Sequence, residues 1–183
     1  EGDVCDLDQL KRTFEAYQPE IVFHLAAQPI VRVSYEQPVE TYQTNVMGTV
    51  HVLECIRLFS CVKSFVNVTT DKVYRNLEMN YCYKEEDELN GFDPYSNSKS
   101  CSELVTASYK NSFFQERQIG VSTARAGNVL GGGDFSPDRI IPDCVRETIL
   151  EKPIIVRNPD SIRPYQYVLE ALYAYLLIGA MQF

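Results

Sequence analysis

The sequence predicts an α/β fold built on a parallel sheet. Three observations carry this: short apolar runs alternate with long helical patterns, the connections are too long for hairpins, and chemistry-bearing residues follow the runs directly. Composition agrees, with 183 residues, 45% of them hydrophobic and 23% charged, which is ordinary for a folded domain. The formal net charge of −8 argues against a nucleic-acid groove or an anionic membrane surface, while leaving room for a local basic pocket. No apolar run reaches the roughly 18 residues that a membrane helix needs. Six cysteines lie scattered without a Cys-x-x-Cys pair, and only His24 and His51 could join them as metal ligands, so no metal site is expected. They read as reduced, packed thiols of a cytosolic protein.

The elements follow in order. Asp6 can cap a helix to about Tyr17 with Leu7, Leu10 and Phe14 inward, and Gln18-Pro19 ends it. Ile21 to Leu25 is a continuous apolar run, expected as a strand buried on both faces. From Pro38 to about Phe59 a helical period places Val39, Tyr42, Val46, Val50, Leu53 and Ile56 or Arg57 on one side. Ser64 to Val68 is the next strand, and residues 74 to 93 form a long polar loop of the kind that often serves as a lid or binding element. A helix from Pro94 to about Glu116 starts on a proline that costs no helical hydrogen bond. Gly120 to Arg125 is a third strand. Beyond it the alternation breaks at Gly131-Gly-Gly133, which places a domain boundary between 130 and 136 and suggests units at 1–133 and 134–183. The second unit reads as a helix from Pro137 to about Leu150, a short strand at Ile154 to Val156, a loop from Arg157 to Gln166 and a last helix. The chain starts on Glu1 rather than Met and stops inside a helical pattern, as expected of an internal fragment.

Ligands of open parallel sheets bind beyond the carboxyl ends of the strands. Four segments fall there: Ala26-Ala27-Gln28, Thr69-Thr70-Asp71-Lys72, the helix that begins at Tyr95, and Gly127-Asn128. Within that helix Tyr95 and Lys99 are i,i+4 neighbours, where an ammonium can lower the phenol's pKa and make it a base for a hydroxyl proton. Singly each segment has a structural explanation, such as close packing, a strand end or a turn. Their common placement points to a site.

His24-Leu-Ala-Ala-Gln28, Thr44-Asn-Val-Met-Gly-Thr49, Thr69-Thr-Asp-Lys-Val-Tyr74 and Asp93-Pro-Tyr-Ser-Asn-Ser-Lys99 resemble the extended short-chain dehydrogenases/reductases over nearly the whole chain. The segments 124–134, 138–143 and 157–166 narrow the resemblance to the branch of nucleotide-sugar 4,6-dehydratases. It implies a Rossmann-like doubly wound sheet with NAD as cofactor, followed by part of a smaller α+β substrate domain. It also implies CDP-glucose as substrate, because related dTDP-glucose and GDP-mannose dehydratases carry Glu where Lys72 stands; these two, and a sugar 4-epimerase, are the alternatives. A non-catalytic dinucleotide-binding regulator is the reading from another class.

By the same resemblance the catalytic set is Thr70, Asp71, Lys72, Tyr95 and Lys99. Tyr95 takes the C4 hydroxyl proton and Thr70 holds the C4 oxygen. Asp71 protonates the departing C6 hydroxyl and Lys72 takes the C5 proton, a division of roles that could also run the other way. Cofactor contacts fall to Asp3, Val4, Leu25, Ala26, Ala27, Asn45, Val68, Tyr95 and Lys99. Substrate contacts fall to Gln28, Asn128, Arg139, Arg157, Arg163 and Tyr165, with Arg157 and Arg163 suiting phosphate or ribose through their forked donors. The family's Gly-x-x-Gly-x-x-Gly loop and its ribose-binding acid have no counterpart in these residues, so the 183 residues alone are expected to bind NAD poorly. The resemblance further implies a homodimer through the helices at 39–59 and 94–116, whose apolar periodicity fits that or packing on the sheet.

Overall fold

In the computed structural model, which describes residues 1–79 and 81–183, the chain begins with helix α1 (Leu7–Tyr17). Asp6 caps it as expected, accepting from Gln9 N at 2.8 Å, and Gln18 ends it in a left-handed conformation. Strand β1 (Ile21–His24) leads to two short helices, α2 (Val31–Glu36) and α3 (Pro38–Tyr42). A π-helical turn at Gln43–Met47 joins α3 to α4 (Gly48–Leu58), so the long helix predicted from Pro38 exists with an irregular centre. Strand β2 (Ser64–Val68) runs into a 3₁₀ turn at Asp71–Val73. Helix α5 (Pro94–Tyr109) continues as a π-helical turn at Lys110–Phe114 before β3 (Gly120–Ala124).

β1, β2 and β3 form a parallel sheet in that order, with Phe23 opposite Val66 and Val68 opposite Ala124. Side chains alternate across β2 and define two cores. Phe65 faces α1 and α4 together with Phe14, Leu53, Ile56 and Phe114. Val66 faces the other way, onto Ala171 and Tyr175 of the last helix, α7 (Val168–Met181). Helices therefore cover both faces, which is the doubly wound arrangement. Gly179 brings α7 close to β1, since a Cβ there would lie 2.6 Å from the Phe23 ring.

Three expectations need correction. β1 is not fully buried: among the described residues it is the sheet's edge strand, with Ile21 exposed and Val22 and Phe23 half-buried on opposite faces. The residues 154–156 form no strand and are all exposed; the second sheet pairs β4 (Asn128–Leu130) in parallel with β5 (Tyr165–Tyr167), on either side of helix α6 (Ile140–Ile149). A triplet of β-branched residues makes a strand only where a partner edge lies alongside. The apolar stripe Val39, Tyr42, Val46 does not join Leu53 and Ile56 inside: Val39 is 82% exposed, while Thr41, Asn45 and Thr49 are buried. The π turn between the two halves rotates one face relative to the other.

The buried face of that long helix is therefore polar, and it meets α5 along a row of small polar side chains. Asn45 Nδ2 donates to Ser98 Oγ at 2.9 Å, and Thr49 and Ser102 hydroxyls lie 2.9 Å apart. Asn67 of β2 donates to both Ser102 and Thr106 at 2.9 Å, and His24 Nε2 lies 3.1 Å from Thr49 Oγ1. Burial, with Lys99's charge as a smaller contribution, pulls His24 down to about 4. Its folded-state pKa thus lies below the value of an unfolded chain, so the stability it contributes is complete above about 6.5 and is lost as pH falls through about 4. The depression corresponds to ~3 kcal/mol at most. The full-length protein should lose melting temperature steeply between pH 6.5 and 4, and His24→Gln should flatten that loss; equal slopes for the two proteins would refute the assignment.

Candidate active site

The carboxyl ends of β1, β2 and β3 lie side by side, and the turn that follows β2 is held there by its backbone. Thr69 N donates to Ala124 O at 2.8 Å and Asp71 N to Ala126 O at 3.0 Å, so the turn rides on the chain leaving β3. Thr70 starts the 3₁₀ turn. Its hydroxyl donates to Asp71 Oδ1 at 3.2 Å and accepts from Lys72 N at 3.4 Å. Asp71 and Lys72 are half-exposed, reachable by a ligand.

Helix α5 supplies the other wall. Asp93 caps it twice, accepting from Ser96 N at 2.9 Å and Ser96 Oγ at 2.6 Å, and Pro94 occupies the first turn. Tyr95 and Lys99 are both buried on one face, as their spacing predicts. Lys99 Nζ donates to Val68 O at 3.1 Å, its one hydrogen bond among the described residues. Burial pulls that ammonium down to about 8, with Glu103 opposing.

For Tyr95 the expected direction is reversed. Burial pushes the phenol above its ordinary value, the Thr70 side chain and the charge of Arg139 pull it back in part, and Asp71 and Asp93 add to the rise. A phenol taken out of water loses more than these neighbours return. Lys99 turns its ammonium to the Val68 carbonyl instead.

Asn45 is buried within the π turn, with both ends of its amide in use. Its Oδ1 accepts from Gln28 N at 2.8 Å, and Nδ2 donates to Gln28 O at 3.1 Å and to Ser98. It thereby pins the exit of β1 to the helix that carries Tyr95. The Gln28 side chain is spent on Thr41 Oγ1 (2.9 Å) and Ile30 N (2.6 Å). Leu25 and Ala26 are exposed just past the strand end, with no hydrogen bond from their backbone among the described residues. Small side chains, free amides and a buried ammonium with unspent donors fit a polyhydroxylated ligand lying across the strand ends.

The remaining residues gather less tightly. Asp3 is exposed and accepts from Cys5 N at 2.8 Å, while Val4 packs beside Gly48. The β4–β5 pairing sets Asn128 opposite Tyr165, with Asn128 N donating to Pro164 O at 3.0 Å. Arg139 pairs with Asp134 at 3.2 Å. Arg157 bonds Asp138 Oδ1 at 2.5 Å, and Arg163 donates only to its neighbour's carbonyl, Ile162 O, at 2.9 Å. No hydrogen bond among the described residues links Arg157 or Arg163 to Tyr95 or to the Thr70–Lys72 turn. Sequence reasoning missed Arg32, which shares Asp138 with Arg157 at 3.0 Å, and also Ser98, Glu103 and Arg125. Glu103 was findable, being four residues beyond Lys99 on the same face.

The chain matches the family described as GDP-mannose 4,6 dehydratase over residues 1–181. Among curated proteins it is similar to a CDP-glucose 4,6-dehydratase of Salmonella typhimurium, with 50% identity over 97% of this chain and 51% of that protein. A human dTDP-D-glucose 4,6-dehydratase is 32% identical over 78% of this chain and 39% of its own length. Among solved structures, the MoeE5 complex with UDP-glucose and NAD superposes with a TM-score of 0.84 at 25% identity, covering 100% of this chain and 58% of that one. The Bacillus anthracis dTDP-glucose 4,6-dehydratase structure, at a TM-score of 0.85 and 23% identity, covers 100% of this chain and 55% of its own and shares the fold. The chain spans about half the length of the curated relatives it matches. With the Rossmann-like sheet and with Thr70, Asp71, Lys72, Tyr95 and Lys99 gathered at its strand ends, the chain belongs to the GDP-mannose 4,6 dehydratase family.

Proposed function

We propose that this protein is an NAD-dependent nucleotide-sugar 4,6-dehydratase that converts CDP-glucose to CDP-4-keto-6-deoxyglucose. The observation that carries the reading is the Thr70-Asp71-Lys72 turn beside Tyr95, in a chain half identical to an enzyme named for that substrate. Lys72 supports the choice of CDP-glucose over GDP-mannose or dTDP-glucose. Asp71 and Lys72 supply acid and base groups that a 4-epimerase does not need, and a non-catalytic regulator would need none of the five residues.

Bound NAD would supply the acceptor for the C4 hydride and its return to C6. Leu25, Ala26 and Ala27 offer it free backbone at the end of β1, Val68 and Lys99 the ribose side, and Asp3 and Val4 the adenine end. Asn45 serves this surface by fixing Gln28 and α5. Tyr95 removes the C4 hydroxyl proton, with Thr70 holding the same oxygen. Once C4 is a ketone its neighbour is acidic, and Lys72 takes the C5 proton while Asp71 protonates the C6 hydroxyl, which leaves as water. Arg139, close enough for Tyr95 to sense its charge, orients the substrate beside the phenol. Asn128, Tyr165, Arg157 and Arg163 reach the diphosphate and nucleoside. The guanidinium of Arg157 is held ready by Asp138, whose carboxyl it keeps below the usual range. A 4-keto-6-deoxy product suits deoxysugar biosynthesis, and six free cysteines suit the reducing cytoplasm.

The protein pairs as a homodimer in this reading. An apolar recess of about 440 Å³ lined by Pro38, Val39, Tyr42, Gln43, Val46 and Met47 opens on the outer face of the α3–α4 helix, and Leu104 and Phe113 are exposed along α5. Sedimentation of the full-length protein should give a dimer, and Val39→Asp should shift it to monomer; a wild-type monomer refutes this.

For the activity, the full-length protein incubated with each nucleotide-hexose should form the 4-keto-6-deoxy product, read by alkaline absorbance, from CDP-glucose at least tenfold faster than from the others. Product from GDP-mannose and none from CDP-glucose would overturn the substrate assignment. Lys72→Ala should lower product formation by about 10² or more, the usual range of a lost general base, with the C4-oxidised sugar accumulating. Normal dehydration by that variant would remove Lys72 from the mechanism.

A further inference from the structure

Behind the catalytic turn lies an ion pair that the proposed chemistry does not use. Glu103 of α5 is buried, with 3% of its side chain accessible, and Arg125, one residue past β3, has 15%. Arg125 Nε donates to Glu103 Oε1 at 2.7 Å, and Arg125 Nη2 donates to Oε2. Thr69 Oγ1 donates to Oε1 at 2.6 Å and Thr123 Oγ1 to Oε2 at 3.2 Å, so four donors surround the carboxylate. Burying such a pair is costly unless every lone pair is used, and here they are.

The rest of the guanidinium reaches forward. Nη1 donates to Tyr74 Oη at 2.8 Å and to Glu85 O at 3.0 Å. Its Cζ lies 4.8 Å from the centroid of the Tyr74 ring, which stacks at 4.8 Å on Tyr83. The Tyr83 hydroxyl in turn donates to Arg75 O at 3.0 Å and accepts from Leu77 N at 2.9 Å. One side chain thus joins β3, α5 and two points of the 74–93 loop. Its own backbone neighbours, Ala124 and Ala126, supply the two carbonyls that hold Thr69 and Asp71.

We propose that Arg125, anchored by Glu103, is a positioning residue that latches the 74–93 loop to the catalytic turn and so sets Thr70, Asp71 and Lys72 against Tyr95. A planar fork can serve a carboxylate along one edge and a phenol and a carbonyl from its remaining nitrogen, in fixed directions; an ammonium is a compact charge that cannot span these partners in that geometry. A loop clipped in this way holds the turn at its front while the two backbone bonds hold it behind. Misplacement by about 1 Å at such a site costs about 10² in rate. The kinetic part of this proposal rests on the dehydratase reading, whereas the latch itself does not.

Two variants of the full-length protein test it, Arg125→Lys and Tyr74→Phe. The second removes one hydroxyl and leaves the ring in place, so it decides the matter if the first fails to fold. Hydrogen exchange at the amides of residues 75–79 and 81–90 should speed up tenfold or more in both, with exchange in α1 and α4 unchanged. With CDP-glucose, Arg125→Lys should lower kcat by about 10- to 100-fold with KM within threefold. The two losses should fall short of additive in the double variant, because each breaks the same connection. Unchanged loop exchange in Tyr74→Phe, or loosening spread evenly over the whole chain, overturns the latch. If the wild type turns over no nucleotide sugar while the loop still loosens, the latch stands and the dehydratase reading falls.

Discussion

The arrangement depends on a seam of small polar side chains between two helices. Thr41, Asn45 and Thr49 descend one helix at intervals of four, and Ser98, Ser102 and Thr106 descend the other. Asn45–Ser98 and Thr49–Ser102 join them directly, and Asn67 joins the seam to the central strand. An apolar seam would give adhesion without fixing rotation, because hydrophobic contact is non-directional. Hydrogen bonds fix the rotation of α5 about its axis, and that rotation decides whether Tyr95 and Lys99 face the strand ends. Buried polar side-chain atoms are tolerable because each finds a partner, the exception among the described residues being the Asn67 amide oxygen, Oδ1.

This explains what the sequence made legible. Strand cores and helix starts follow from local rules, so Asp6 caps α1 and Pro94 opens α5 where expected, and Ile21, Ser64 and Gly120 open strands as predicted. The Tyr95–Lys99 pair and the Thr-Asp-Lys turn were equally readable, because helix spacing and the rule of strand ends bring them together without knowledge of packing. The interior of the long helix was not. A period search looks for apolar residues, and here the inward residues are Thr and Asn while Val39 faces out. The π turn hides the change, since its extra residue breaks the phase within an otherwise continuous helix. The strand pairing of 128–130 with 165–167 was likewise hidden: its segments are three residues each and far apart in sequence.

The polar seam and the Glu103–Arg125 pair divide the work. The seam sets α5 relative to the sheet, and the ion pair ties the same helix to the β2 turn and the loop. Ser98 and Glu103 serve the two connections from the same helix that carries Tyr95 and Lys99, so one 16-residue helix bears both the reactive groups and their supports. A substitution on α5 therefore disturbs chemistry and positioning together.

The electrostatics of the pair follow from this burial. Placing Tyr95 and Lys99 under a closed seam removes water from both, which raises the phenol and lowers the ammonium to about 8. Each shift disfavours the charged form, so the spacing that suggests an activated tyrosine produces, in the protein alone, a phenol harder to ionise and an ammonium easier to deprotonate than in water. What pulls the phenol back comes from outside its helix: Thr70 on the turn and Arg139 ahead of α6. Arg139 was read from the sequence only as a substrate contact, and the phenol senses its charge. Activation of Tyr95 then depends on how Thr70 and Arg139 are brought up to α5. The Tyr95–Lys99 motif identifies the site, and its surroundings set its reactivity.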